Sequence, residues 1–336
     1  MDRNVRVGII GAGSAAQAVH LPILMRLPDV EVVGIVDPAR SKVTTIAERY
    51  GIPGVALSLT DLLADTRLDA VLVCSPTSTH ESIVLEALGA GLHVLCERPL
   101  CPTVDAADRL IETAASANRQ LMVAMNHRYS FDLRSIQQFV RSGELGKPFF
   151  VHTAWHNRRQ KRPRRGWRRD ASSPGAGVMM DVGVPALDAA LWILGYPQVE
   201  RVSARFHPAP SEAEVEASAF GLLQLEGGLT ISFDVTWELQ DESDHHALQL
   251  LAAEGTASSL PFRISRRMET GLTDVTPPLE RSRSAIYTDS YRQEWADFLR
   301  YVRGDKPVES PDEQRALMRI TAACYTSARE GREVEL

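Results

Sequence analysis

Cysteine is scarce in this chain: Cys74, Cys96, Cys101 and Cys324 are the whole complement of 336 residues, and no two are spaced as CxxC. That scarcity argues against a disulfide framework and a cysteine-built zinc centre, and it fits a reduced, cytoplasmic setting with no metal site. No run approaches the roughly 20 apolar residues of a membrane-spanning helix, so no membrane partner is expected. The early apolar run Val5 to Ile10 is strand-length and passes straight into glycines, which is not the layout of a signal peptide. There is no internal repeat and no long low-complexity segment, and the stretch expected to hold the least structure is Arg266 to Arg283. A net charge of −6 gives no global nucleic-acid signature.

What is present is ordinary for a globular protein, with 44% hydrophobic and 24% charged residues. The length exceeds a usual single domain, so two cores are expected, one over 1–125 and one over 126–336, with the last helices packing back on the first. In the first third, strand-length apolar runs alternate with helical patterns, the signature of a parallel sheet covered by helices. Strands are read at Val5–Ile10, Val30–Val36, Val55–Leu57, Ala70–Cys74, His93–Cys96 and Leu121–Met125, with a helix over Ser14–Leu27 after the first.

Each of the longer strands ends in residues suited to a ligand: Gly11, Asp37, Ser75-Pro76-Thr77, Glu97-Arg98-Pro99 and Asn126-His127. In a doubly wound sheet these carboxyl ends line one crevice, so the scattered residues converge. Gly11-Ala12-Gly13-Ser14-Ala15-Ala16 follows the first strand and opens a helix, which matches a dinucleotide fingerprint with alanine in its third small position. Gly11 makes the tight turn, Gly13 admits the pyrophosphate to the backbone, and the helix start attracts the anion. Asp37, 26 residues after Gly11, is placed to accept from both adenosine ribose hydroxyls, which favours NAD. Arg40 and Lys42 keep NADP open, and the plainer alternative for Asp37 is a turn residue before Pro38.

The ordered motifs resemble one family over nearly the whole chain. Beside the glycine turn they are His20-Leu21-Pro22, Ser75-Pro76-Thr77 with His80, Glu97-Arg98-Pro99-Leu100, Asn126-His127-Arg128-Tyr129, Ser142-Gly143-Glu144-Leu145-Gly146, Gly166-Trp167-Arg168 and the Gly175 to Asp188 stretch. The chain is similar to the glucose-fructose oxidoreductase, inositol dehydrogenase and MocA family, written Gfo/Idh/MocA. The resemblance implies an α/β protein: an N-terminal Rossmann-like doubly wound parallel sheet, then a C-terminal α/β domain on an open, mainly antiparallel sheet through which copies pair as a homo-oligomer. It also implies an NAD(P)-dependent oxidoreductase acting on a sugar-like or cyclic polyol substrate. Cofactor contacts then map to Gly11, Gly13, Ser14, Ala15, Asp37, Arg40, Ser75, Pro76, Thr77, His80, Glu97, Arg98 and Asn126. Substrate contacts map to Arg128, Tyr129, Trp167 and Arg168.

Two departures from the family pattern bear on the chemistry. The lysine of a Glu-Lys-Pro motif is Arg98 here, and the histidine of an Asp-x-Gly-x-His-x-x-Asp motif is Pro185 in Asp181-Val182-Gly183-Val184-Pro185-Ala186-Leu187-Asp188. Moving a hydride to or from an alcohol carbon needs a partner for the hydroxyl proton, ideally with a pKa near the working pH. Arginine keeps its proton but can stabilise developing negative charge, and proline does neither. Candidates to replace the missing groups are His156, His127, Tyr129 and the surviving Asp181, whose plainer alternative is a helix N-cap. Arg158 to Arg169 carries eight basic residues in twelve, read either as a solvated loop or as a dock for an anionic substrate. Two function classes stay open: an oxidoreductase with a rewired acid-base site, and a cofactor-binding sensor or regulatory protein that has lost turnover.

Overall fold

The computed structural model describes residues 4–160, 166–208, 215–279 and 281–336. The chain divides into two compact units, one formed by Met1–Asn126 with Tyr287–Arg315 and the other by His127–Ile286 with Ala316–Leu336.

The first unit is built on six parallel strands: β1 (Val5–Ile10), β2 (Val30–Val36), β3 (Gly54–Ala56), β4 (Ala70–Val73), β5 (His93–Glu97) and β6 (Leu121–Ala124). They lie in the order β3-β2-β1-β4-β5-β6, so the winding reverses between β1 and β4 and opens a crevice at their carboxyl ends. The crossovers carry α1 (Leu21–Leu24), α2 (Arg40–Tyr50), α3 (Leu59–Asp65), α4 (His80–Gly89) and α5 (Val104–Ala117). Val5, Val7, Ile9 and Ile10 are all buried, as expected for a strand covered on both faces. The helix read over Ser14–Leu27 is not uniform: a wide π-type turn spans Ala16–His20 before α1. Ser58 and Thr103 start α3 and α5 by accepting the amides of Asp61 and Ala106.

The second unit starts with α6 (Phe131–Arg141), β7 (Pro148–Arg158) and α7 (Val184–Leu194). It continues through β8 (Val199–Pro208), β9 (Glu216–Leu225), β10 (Thr230–Leu239), β11 (His245–Ala252), β12 (Gly255–Ser259), β13 (Phe262–Met268) and β14 (Gly271–Asp274). Two long helices follow, α8 (Arg283–Val302) and α9 (Asp312–Glu330), before β15 (Val334–Glu335). The nine strands run β14-β13-β12-β11-β7-β10-β9-β8-β15. Neighbours are antiparallel except at the centre, where β10 pairs with β7 in parallel. Two glycines at positive φ, Gly227 and Gly228, turn the chain between β9 and β10. The stretch Arg266 to Arg283, expected to be irregular, instead holds part of β13 and all of β14.

Strands β9 and β10 alternate cleanly. Ile231, Phe233, Val235 and Trp237 are buried on one face, while Ser232, Asp234 and Thr236 lie half-buried on the other. The segment Tyr287–Val302 of α8 belongs to the first unit, where Trp295, Phe298 and Leu299 join the core formed with Val7, Ile9, Leu72 and Leu95.

Candidate active site

The glycine turn leaves β1 with Gly11 at φ +99°, a conformation L side chains rarely adopt. A Cβ there would lie 2.7 Å from Ser75 N and 2.8 Å from the Cys74 carbonyl, so backbone packing alone demands glycine. Gly13 differs: the nearest atom to its Cβ position is Cys74 O at 3.9 Å. Nothing among the described residues requires that glycine, whereas a ligand lying against the backbone would. Ser14 is exposed and Ala15 half-buried at the start of the helical segment.

Asp37, at the end of β2, is 5% exposed and braces its surroundings. Its Oδ2 accepts from Ala12 N at 3.0 Å and its Oδ1 from Ala39 N at 2.9 Å. Lys42 Nζ lies 2.5 Å from Oδ2. Burial alone would raise this carboxyl, but Lys42 and the two amides outweigh it and hold it below its usual range. Of the two cations weighed for this corner, Lys42 is the one paired with Asp37, and Arg40 is exposed.

At the ends of β4 and β5, Thr79 Oγ1 lies 2.7 Å from Ser75 Oγ and 2.8 Å from Pro76 O. His80 is buried, with Nε2 2.9 Å from Ser75 O and Nδ1 3.0 Å from Pro99 O. Its ring thus ties these two loops together as a brace. Thr77 Oγ1 is buried with no hydrogen-bond partner among the described residues. A satisfied protein interior rarely leaves such a hydroxyl, and a polar group of a bound ligand would satisfy it. Glu97 Oε1 lies 2.9 Å from His20 Nε2, and its Oε2 accepts Arg98 N at 3.1 Å. Burial would raise Glu97, but the His20 hydrogen bond and the Arg98 charge dominate and lower it. At the end of β6, Asn126 Nδ2 donates to Ser290 Oγ at 3.0 Å.

In the second unit Asp181 lies in a π-type turn, Met179–Gly183, that runs into α7. It is not an N-cap: its Oδ1 accepts Arg168 Nε at 2.7 Å and its Oδ2 accepts Trp237 Nε1 at 3.1 Å. Arg168 stacks over Trp167 at 4.4 Å and Arg169 over Trp237 at 4.7 Å. Pro185 is buried near the start of α7.

Two candidates of this unit have partners within it. His156 does not lie beside Asp181. It sits opposite Thr236 in the β7–β10 register and bonds Asp234, which places it on the face of the sheet away from Trp237 and Asp181. The reason is strand alternation, in which one residue decides the face. Arg128 is committed to structure: Nε donates to Asp188 Oδ2 at 2.8 Å, Nη2 to Oδ1, and the Tyr196 hydroxyl and His127 Nε2 converge on the same carboxylate. Asp188 is fully buried, and although burial pushes its carboxyl up, the Arg128 charge and hydrogen bonds carry it well below the usual range. Tyr129 is half-buried under Arg134, whose guanidinium lies 6.0 Å from the ring centre.

The basic segment divides likewise. Arg158 donates to Glu242 O, Arg159 and Arg169 face Glu238, and Arg168 faces Asp181. Lys161, Arg162, Arg164 and Arg165 lie outside the described residues.

Residues 5–125 match the oxidoreductase family model with an NAD-binding Rossmann fold, and residues 133–258 match the Gfo/Idh/MocA C-terminal domain. The chain belongs to the Gfo/Idh/MocA family. A D-glucoside 3-dehydrogenase of Escherichia coli K12 is 30% identical across 99% of this chain and 97% of its own length. A myo-inositol 2-dehydrogenase of Thermotoga maritima is 24% identical across 99% and 98%. The fold is shared with levoglucosan dehydrogenase solved with NADH and levoglucosan, at TM-score 0.87 and 19% identity over 99% of both chains. The first unit of this Gfo/Idh/MocA protein is therefore an NAD-binding Rossmann domain, and the open space at Gly13 and the unmet hydroxyl of Thr77 are compatible with a bound ligand there.

Several structural partners escaped the sequence reading: Trp295 and Ser290 on α8, Trp237 on β10 and Asp188 as the Arg128 anchor. Trp237 had a legible signal, since it continues the apolar alternation of β10 to the strand's end. Trp295 and Ser290 had none, because their partners His20 and Asn126 are 275 and 164 residues away.

Proposed function

We propose that this protein is an NAD-dependent dehydrogenase of a neutral sugar or cyclic polyol, with a rewired acid-base site. The observation that carries the choice of a neutral substrate is the pairing of all four described arginines of the basic segment with carboxylate or carbonyl oxygens. A dock for an anion would keep such donors unmatched. Trp167 and the carboxylate of Asp181 offer instead an apolar ring and hydrogen-bond acceptors, which suit a hydroxyl-rich ring.

Bound NAD supplies the hydride acceptor, held by the Gly11 to Ala15 turn, Asp37, the Ser75 to Thr77 loop, Glu97 and Asn126. Arg98 serves as a fixed positive charge and donor for the oxygen on which negative charge develops. It does not take the proton. That task is assigned to Asp181, because His156 faces away from it and His127 is engaged by Asp188. Arg168 and Trp237 aim the Asp181 carboxylate. Copies pair through the outer sheet face, where Phe220 and Leu222 are exposed, and the setting is cytoplasmic.

NADH formation is measured across methyl glucosides, cyclitols and the matching uronates. Neutral compounds should turn over and uronates should not, and Asp181→Asn should lower kcat by about 10² to 10⁴ with NAD affinity unchanged. NAD binding with silence across the panel, relieved only in an Arg98→Lys and Pro185→His double variant, would instead identify a sensor that has lost turnover.

A further inference from the structure

His20 sits in the turn between the glycine loop and α1, and both of its ring nitrogens are engaged, one by buried Trp295 and the other by half-buried Glu97. Trp295 Nε1 lies 3.0 Å from His20 Nδ1, and His20 Nε2 lies 2.9 Å from Glu97 Oε1. His20 and Trp295 are both 0% exposed. An indole nitrogen only donates, so Nδ1 must be the acceptor and the ring proton must sit on Nε2, pointing at Glu97. The far oxygen of Glu97 then accepts the amide of Arg98 at 3.1 Å. Tyr291, one turn before Trp295 on α8, closes the ring's other side edge-on at 5.5 Å.

We propose that Trp295, His20 and Glu97 form a positioning relay that fixes the Glu97–Arg98 peptide, and with it the Arg98 guanidinium, for the turnover assigned above. The inference rests on that dehydrogenase reading for its purpose but not for its geometry. Each member does one task. Trp295 selects the tautomer, His20 passes a single directed hydrogen bond, and Glu97 divides its two oxygens between the ring and the next peptide. A carboxylate bonded at both oxygens has no rotational freedom left. Arg98 therefore leaves β5 in one direction, which a charge acting on a developing oxyanion requires.

Nitrogen-15 spectra of the histidine rings in the cofactor-free protein at neutral pH test the geometry, with the His20 signals assigned by their loss in His20→Gln. The relay predicts a bare Nδ1 and a protonated Nε2, and Trp295→Phe should abolish that single-tautomer signature. A protonated Nδ1 in the wild type, or an unchanged pattern in Trp295→Phe, overturns it. The positioning role is read from steady-state kinetics with NAD and the best neutral glycoside of the panel. Trp295→Phe and His20→Leu should lower kcat about tenfold or more with KM within about twofold. His20→Gln, whose amide carries both a donor and an acceptor, should recover to within about threefold of wild type. Equal losses in His20→Leu and His20→Gln, at similar melting temperatures, would show that His20 only fills space and overturn the proposal. A wild type that turns nothing over sinks the dehydrogenase reading, and the ring spectra then still decide whether the relay exists.

Discussion

The two units gather chemistry by different rules. The parallel sheet of the first collects it at one end: Gly11, Asp37, Ser75, Glu97 and Asn126 all stand just at or beyond the carboxyl ends of their strands, whichever way each side chain faces. The broad sheet of the second sorts residues by face. His156 and Trp237 stand at the ends of adjacent strands, yet only Trp237 reaches Asp181. Position along the chain is enough to find a site of the first kind. For the second kind, the parity of each residue must be known as well.

The largest expected effect lies in the second unit and should leave the cofactor alone. Asp188→Ala takes the buried carboxylate from the half-buried Arg128 guanidinium and should cost about 3–5 kcal/mol of unfolding free energy. Chemical denaturation checks the loss, and NADH titration of the folded fraction should show wild-type affinity. A large drop in affinity would dissolve the contrast between the units.

Gly11→Ala comes next and should do the reverse. Positive φ together with backbone atoms at 2.7–2.8 Å makes the added methyl cost about 2–4 kcal/mol, spent in distorting the turn that receives the pyrophosphate. Calorimetry should find NAD binding lost while the second unit's tryptophan environment is unchanged.

The smallest effect concerns the outer face of the broad sheet. His152 Nε2 lies 3.1 Å from Asp234, and that hydrogen bond outweighs burial to raise the imidazole above its ordinary value of 6.5. Asp234 is buried enough to be pushed up, but His152 and His156 carry it below its ordinary 3.8. A raised base stabilises the fold fully below its unfolded pKa and loses that contribution as pH rises through the folded value. A lowered acid stabilises above its unfolded pKa and loses the contribution as pH falls. The pair therefore helps most between about pH 4 and 6.5. His152→Asn should lower the melting temperature by a small amount in that window and by less at alkaline pH. A deficit independent of pH would contradict the assignment.

Much of the first unit was legible because its signals are local. An apolar run, a glycine turn and a carboxylate at the next strand end lie within 37 residues of the start, and the sheet order makes them neighbours. The Arg128–Asp188 pair was hidden because the partners are 60 residues apart, and a lone arginine after a strand reads equally well as a ligand contact. The face taken by His156 was hidden because polar or amphipathic groups occupy three consecutive positions, Trp155-His156-Asn157, so no alternation marks which face is inward. Strands β13 and β14 were hidden by arginine and threonine, residues that suit a sheet margin and resemble a loop in composition.

Asp37 carries a consequence for redesign. Its two oxygens tie the Ala12 amide of the glycine loop to the Ala39 amide at the start of α2, so one side chain serves both as the expected ribose reader and as a cross-brace. Exchanging it for a small neutral residue to admit a 2'-phosphate would also loosen the loop that carries the pyrophosphate. Cofactor preference and loop rigidity are thus inherited together, and a switch toward NADP has to restore the lost tie between Ala12 and Ala39 before any gain from Arg40 or Lys42 can be realised.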